Sequence, residues 1–135
     1  MEKIKFIRVA LFLFGFIATG IGGALLFFPV SFEASAGIVL DENISLLSEI
    51  RAYGGIILSG GIIVFLGSFF DKLLLISSGV SSLFYLSLGL SRLISLFIDG
   101  VPSQALVTAG IAEILIGLVS LLMFLKIDKQ DPFRL

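Results

Sequence analysis

Long apolar stretches alternate with short polar punctuation along the chain. Apolar residues run almost unbroken from Phe6 to Phe28 and stop before Pro29. A second run covers about Ser45 to Phe70 and is interrupted by Asp71 and Lys72. A third covers about Leu73 to Ile98 and ends in the turn Asp99-Gly100-Val101-Pro102. The fourth runs from about Ser103 to Leu125, where Lys126 marks its exit. A helix needs about 20 apolar residues to cross a bilayer core, and each run reaches that length. The pattern predicts an all-α integral membrane protein. It forms a four-helix bundle with spans 6–28, 45–70, 73–98 and 103–125 in one domain, 1–135. Ser103 stands where an N-cap belongs. The very short hairpin at Asp71-Lys72 makes the second and third spans antiparallel neighbours. Between Pro29 and Ile44, Phe32, Ile38 and Leu40 alternate with Glu33, Ser35 and Asp41. Either a short helix lying in the membrane interface or a plain loop fits that mixture.

The basic residues give the orientation. Lys3, Lys5 and Arg8 precede the first span, Lys72 joins the second to the third, and Lys126, Lys129 and Arg134 follow the fourth. The connections 29–44 and 99–102 carry none. The positive-inside rule then puts both termini in the cytoplasm and the chain in the cytoplasmic (inner) membrane. A competing reading takes Lys3 to Arg8, the next apolar run and Ala34-Ser35-Ala36 as a signal peptide with its cleavage site. The run is longer than the usual ~7–15 residues, which speaks for a retained span.

Composition narrows the chemistry. Hydrophobic residues make up 58% and charged residues 14% of the 135, where a soluble domain carries about 25% charged. A water-soluble chain of this length could not bury so much apolar surface. Net charge is -1 and like charges do not cluster, so nucleic acid is not an expected partner. Cys and His are both absent. That removes thiolates, the commonest general base and the commonest metal ligands, so no metal site and no cofactor are expected. Any chemistry falls to carboxylates, Arg, Lys, Tyr, Ser or Thr.

Small residues recur at helical spacing: Gly15, Thr19, Gly22 and Gly23 in the first span, Gly54-Gly55 and Gly60-Gly61 in the second, Gly110 and Gly117 in the fourth. Lipid gives helices no hydrophobic reason to associate, so close backbone contact matters more. Tight internal packing is the first reading and a dimer seam the second. No internal repeat is evident.

Beyond Arg8 at the very start of the first span, four charges fall inside the predicted spans: Glu49, Arg51, Arg92 and Glu113. Charges at such depth are costly and turn toward the bundle interior or water. At about 1.5 Å per residue, Arg92 lies about 9 Å below the outer end of its span and Glu113 about 15 Å, near mid-membrane. An arginine cannot escape by losing its proton, so Arg92 needs an acceptor, and Glu113 is its natural partner. Glu49 and Arg51 are shallower and can snorkel toward headgroups. Ser78, Ser81, Tyr85, Arg92, Ser95 and Asp99 form one polar stripe on the third span. Tyr53 shares a face with Glu49, while Arg51 points elsewhere. Asp99 reads as a helix-end residue. Two readings stand for the cluster. Its pairs only tie helices together, or they line a site open to the outer side. In the second, Arg92 holds an anionic or carbonyl group, Tyr53 and Tyr85 donate hydroxyls, and Glu113 accepts or carries a proton.

The segment Leu47-Ser48-Glu49-Ile50-Arg51-Ala52-Tyr53-Gly54-Gly55 resembles the signature of an uncharacterised family of bacterial four-span membrane proteins, classed as a domain of unknown function. The resemblance is a Glu-x-Arg-x-x-Gly-Gly motif at the start of the second span. To this are added Arg92 late in the third, the Asp99-Gly100-Val101-Pro102-Ser103 turn and Glu113 in the fourth. It implies the four-helix fold and supplies no activity. The chain is also faintly similar to the small membrane scaffold of the ergosterol pathway, which by analogy implies an adaptor.

Three functional classes remain in view. The first is a non-enzymatic module that binds a lipid or small amphiphile, or docks a membrane-protein partner or a second copy. Its candidate residues are Glu49, Arg51, Tyr53, Tyr85, Arg92 and Glu113. A membrane enzyme of isomerase or cyclase type, using Glu113 with Arg92, is the alternative. The third is a small oligomeric transporter. Four-span multidrug transporters keep their essential Glu in the first span, whereas this first span has no charge after Arg8.

Overall fold

The computed structural model describes residues 2–40 and 43–130, with side chains to Ile127. Asp41 and Arg134 lie outside the described residues, as does the side chain of Lys129. Helix α1 covers Glu2–Phe27, α2 Pro29–Ser35, α3 Ile44–Leu66, α4 Leu74–Ile98 and α5 Gln104–Gln130. One 3₁₀ turn, Asp71–Leu73, leads into α4. Four of these helices are long and apolar enough to cross a membrane. The chain thus fits an integral, multi-pass membrane protein.

The end of the second span and the role of Ser103 depart from the expectation, while the 29–44 connection takes its short-helix alternative. The second span ends at Leu66 rather than Phe70, because the chain turns at Gly67 and Ser68. Gly67 sits against Ser77 of α4 so closely that a Cβ would overlap it. Ser68 donates to the Phe65 carbonyl at 2.7 Å. The 29–44 connection is part helix: Pro29 occupies the first turn of α2, where its missing N–H costs nothing. Ser103 does precede α5 and its carbonyl accepts from Leu106 and Val107. Its hydroxyl, however, donates across to the Ala36 carbonyl at 2.7 Å. The side-chain cap is found instead at Asn43, whose Oδ1 accepts from the N–H groups of Ser45 and Leu46. A cap of this kind is worth about 1 kcal/mol.

The helices pack as two close pairs, α1 with α3 and α4 with α5. Glycines make both approaches possible. A Cβ on Gly61 would lie 2.5 Å from the Thr19 nitrogen, and Gly54 and Gly22 are equally crowded by the facing backbone. Gly89 and Gly117 play this part between α4 and α5, against Ile114 and Leu86. The pairs join mainly at the end that holds the N-terminus and the α3–α4 hairpin, called here the terminal end. There Ile7, Ala10, Leu11, Val64, Leu74 and Met123 form the buried apolar core. Arg8 clamps this end: it donates to the Ser68 and Phe69 carbonyls and pairs with Asp71 at 2.5 Å. Hydroxyls complete the seams. Ser77 donates to the Ile63 carbonyl at 2.8 Å, and Ser81 bonds Ser120 at 2.8 Å within the α4–α5 contact. Each buried hydroxyl satisfied this way avoids a desolvation penalty of roughly 1–3 kcal/mol.

Candidate functional site

At the opposite end, which carries α2 and the α4–α5 turn, the two pairs diverge. Gly60 of α3 still meets the Phe84 ring of α4, with Cδ2 3.4 Å from where a Cβ would stand. Tyr53 lies seven residues earlier on the same face of α3. Tyr53 is 42% exposed. Arg92 lies on α4 at the same end, its side chain 35% exposed. Phe84, Tyr53 and Arg92 thus follow one another along the α3–α4 seam toward this end, the last two part-exposed. Among the described residues α3 and α5 make no extended contact.

Arg92 and Glu113 meet as an ion pair. Nε donates to Oε2 at 2.7 Å and Nη2 to Oε1 at 3.1 Å. The meeting depends on Gly110. Arg92 sits about 9 Å from the end of α4, and Glu113 about 14 Å from the start of α5. The arginine stem therefore reaches down by roughly one turn, and it does so across Gly110, where a Cβ would come within 3.2 Å of Arg92 Cδ. Only two of the five guanidinium N–H groups are engaged. Nη1 has no acceptor among the described residues. Both Glu113 oxygens are taken, and that side chain is only 13% exposed.

One member of the group was not singled out from sequence. Glu33 of α2 lies within Coulombic range of Arg92 and of the Tyr53 hydroxyl, without a hydrogen bond to either. Helix α2 packs on α1 and α3, and the Ser103–Ala36 hydrogen bond ties its far end to the start of α5. An acidic residue in a connection carries no signal of this in one dimension.

The remaining candidates are elsewhere. Tyr85 is buried, 3% exposed, and donates to the Phe14 carbonyl of α1 at 2.6 Å. Its hydroxyl holds α4 to α1. Arg51 donates to the Leu26 carbonyl of α1, which fixes it on the far face of α3. Glu49 is exposed one turn above Tyr53. Asp99 accepts from Ser95 at 2.8 Å at the end of α4, the helix-end role expected of it. Among the described residues no three acidic side chains gather closely enough to hold a metal ion.

Neither a curated protein nor a solved structure matches the chain. A family does, across residues 6–124, a span that reaches into all four long helices and includes Tyr53, Phe84, Arg92 and Glu113. The chain belongs to the family described as a domain of unknown function, DUF4345.

Proposed function

We propose that this is a non-enzymatic protein of the cytoplasmic membrane, with both termini in the cytoplasm, that binds a lipid or small amphiphile at Arg92. One observation carries the binding reading. The Arg92 guanidinium is only partly satisfied: Glu113 neutralises it, yet Nη1 is left without an acceptor among the described residues, on a part-exposed side chain. In hydrocarbon each unsatisfied N–H is expensive. A ligand oxygen with an acyl chain attached removes that cost. The isomerase or cyclase alternative asks Glu113 to exchange a proton with a substrate. Arg92 occupies both of its oxygens, which weighs against it.

Two measurements test the proposal. The chain has no native cysteine, so single cysteines at Lys5 and Ser35 report sidedness cleanly. A membrane-impermeant maleimide added to intact cells is expected to label the Ser35→Cys protein alone. Labelling of Lys5→Cys instead inverts the topology. For binding, native mass spectrometry compares the protein from mild detergent with an Arg92→Leu/Glu113→Leu double variant. The wild type is expected to carry a discrete amphiphile mass that the double variant lacks. The same adduct on both, or on neither, removes the reading.

A further inference from the structure

The terminal end carries charges and rings that the amphiphile reading does not use. The turn from Phe69 to Leu73 surrounds an open hollow of about 610 Å³, lined by Phe69, Phe70, Asp71, Lys72 and Leu73. Small-molecule sites span about 300–1,000 Å³. The two charges in the lining are not equivalent. Asp71 is paired with Arg8 at 2.5 Å, and Arg8 also donates to the Ser68 and Phe69 carbonyls. Lys72 is exposed and has no ion-pair partner among the described residues. Lys3, Lys5 and Lys126 stand at the same end. With Arg8 and Lys72 they set five cations against the carboxylates of Glu2 and Asp71, a net charge of +3 for the side chains described there. A zwitterionic headgroup carries an ammonium into that field, and an anionic one does not. The rings run on from the hollow. Phe69 lies 5.2 Å from Phe65 and 6.2 Å from Phe12 between ring centres, and Phe12 lies 6.4 Å from Phe16. Phe12 and Phe16 stand one and two turns beyond Arg8, so this strip extends about 12 Å along α1 from the charged end. Phe12, Phe16, Phe69 and Phe70 are all at least 40% exposed.

We propose that the hollow at the α3–α4 turn binds the headgroup of an anionic phospholipid, with the phosphate on Lys72 and an acyl chain along the Phe69–Phe12–Phe16 strip. Basic pockets at a membrane surface suit such headgroups. The occupant is a lipid rather than a soluble phosphate, because Phe69 and Phe70 set apolar surface beside the one cation that lines the hollow. The site lies at the opposite end of the molecule from Arg92 and does not depend on the reading proposed for that residue.

The test is a lipid titration of the full chain in detergent, read by native mass spectrometry. Phosphatidylglycerol, phosphatidylethanolamine and phosphatidylcholine with identical acyl chains are compared, together with glycerophosphoglycerol, the first lipid's headgroup without its chains. The wild type is expected to bind phosphatidylglycerol about fivefold more tightly than the other two lipids, the worth of one cation beside a lipid headgroup. Glycerophosphoglycerol should fail to compete at equal concentration. Lys72→Gln, at an exposed turn position, should remove the preference. Lys126→Gln takes the same charge from the same end but outside the hollow, and should keep it. Equal binding of the three lipids by the wild type overturns the proposal. So does an equal loss in Lys72→Gln and Lys126→Gln, which makes the preference a property of the whole charged end. Competition by glycerophosphoglycerol moves the occupant to a soluble phosphate and overturns the lipid assignment. The Arg92→Leu/Glu113→Leu variant should keep the preference. A preference lost there and kept in Lys72→Gln moves the headgroup to Arg92, which overturns this site and spares the amphiphile reading.

Discussion

Gly61→Ala is expected to destabilise the protein by about 3 kcal/mol, while Gly20→Ala leaves it unchanged or raises its stability slightly. The two substitutions add the same methyl group to neighbouring helices. At Gly61 that methyl would sit 2.5 Å from the Thr19 nitrogen and 2.8 Å from the Ala18 carbonyl carbon. Backbone cannot rotate away as a side chain can, so α1 and α3 must part along their length. Overpacking a tight contact costs about 1–3 kcal/mol, and a contact made of backbone on both sides belongs at the top of that range. The close packing that holds these helices is also the main attraction lipid leaves them. At Gly20, Gly23 and Gly55 a Cβ meets nothing within 4 Å. Alanine there gains helix propensity, up to about 1 kcal/mol. Unfolding in a graded SDS titration, followed by helical circular dichroism, ranks the variants. Equal effects at Gly61 and Gly20 would disprove the close α1–α3 seam. A loss at Gly20 that tracks with dissociation on a sizing column would instead point to a seam between copies.

That contrast also marks what the sequence disclosed. Four apolar runs of bilayer length announced the four long helices, because length and hydropathy are local properties. The Arg92–Glu113 pair was legible too, since a buried guanidinium demands an acceptor and few were available at its depth. The glycines were visible as a small-residue pattern, yet their partition was not. Gly22 faces Leu58 while Gly23, the next residue, faces nothing. That difference depends on the rotation of α1, which tertiary packing sets. Tyr85 was read as an open hydroxyl from its place on a polar stripe. Its actual partner is the Phe14 carbonyl, 71 positions away. Phe70 was placed in the second span because it is apolar. The turn at Gly67-Ser68 prevails there because Arg8 and Ser77 supply partners for the carbonyls of Phe69, Ser68 and Ile63. Glu33 illustrates the limit most clearly. Nothing local separates it from any acidic loop residue until α2 is folded against α1 and α3.

The second large effect concerns the ion pair, and its sign depends on how many partners are removed. Arg92→Leu leaves Glu113 as an uncompensated carboxylate among apolar neighbours, and Glu113→Leu leaves Arg92 likewise. Breaking a buried pair by one partner costs about 3–5 kcal/mol. Arg92 is only part-buried, so about 3 kcal/mol is expected for each single variant. Replacing both partners removes both charges together with their desolvation penalty. The double Leu variant should therefore lie close to wild type in stability, giving a coupling of about 6 kcal/mol between the sites. The same SDS titration measures all four corners of the cycle. Strictly additive losses would mean that the pair contributes no mutual stabilisation and would contradict the two-pronged geometry. A coupled cycle has a functional consequence. If the double variant is as stable as wild type, the fold has no need of these charges, and replacing them with leucine would be the simpler way to join α4 to α5. Retaining an arginine whose Nη1 has no acceptor among the described residues then has binding as its physical rationale. A double variant that folds well and no longer carries the amphiphile separates the two roles within one molecule.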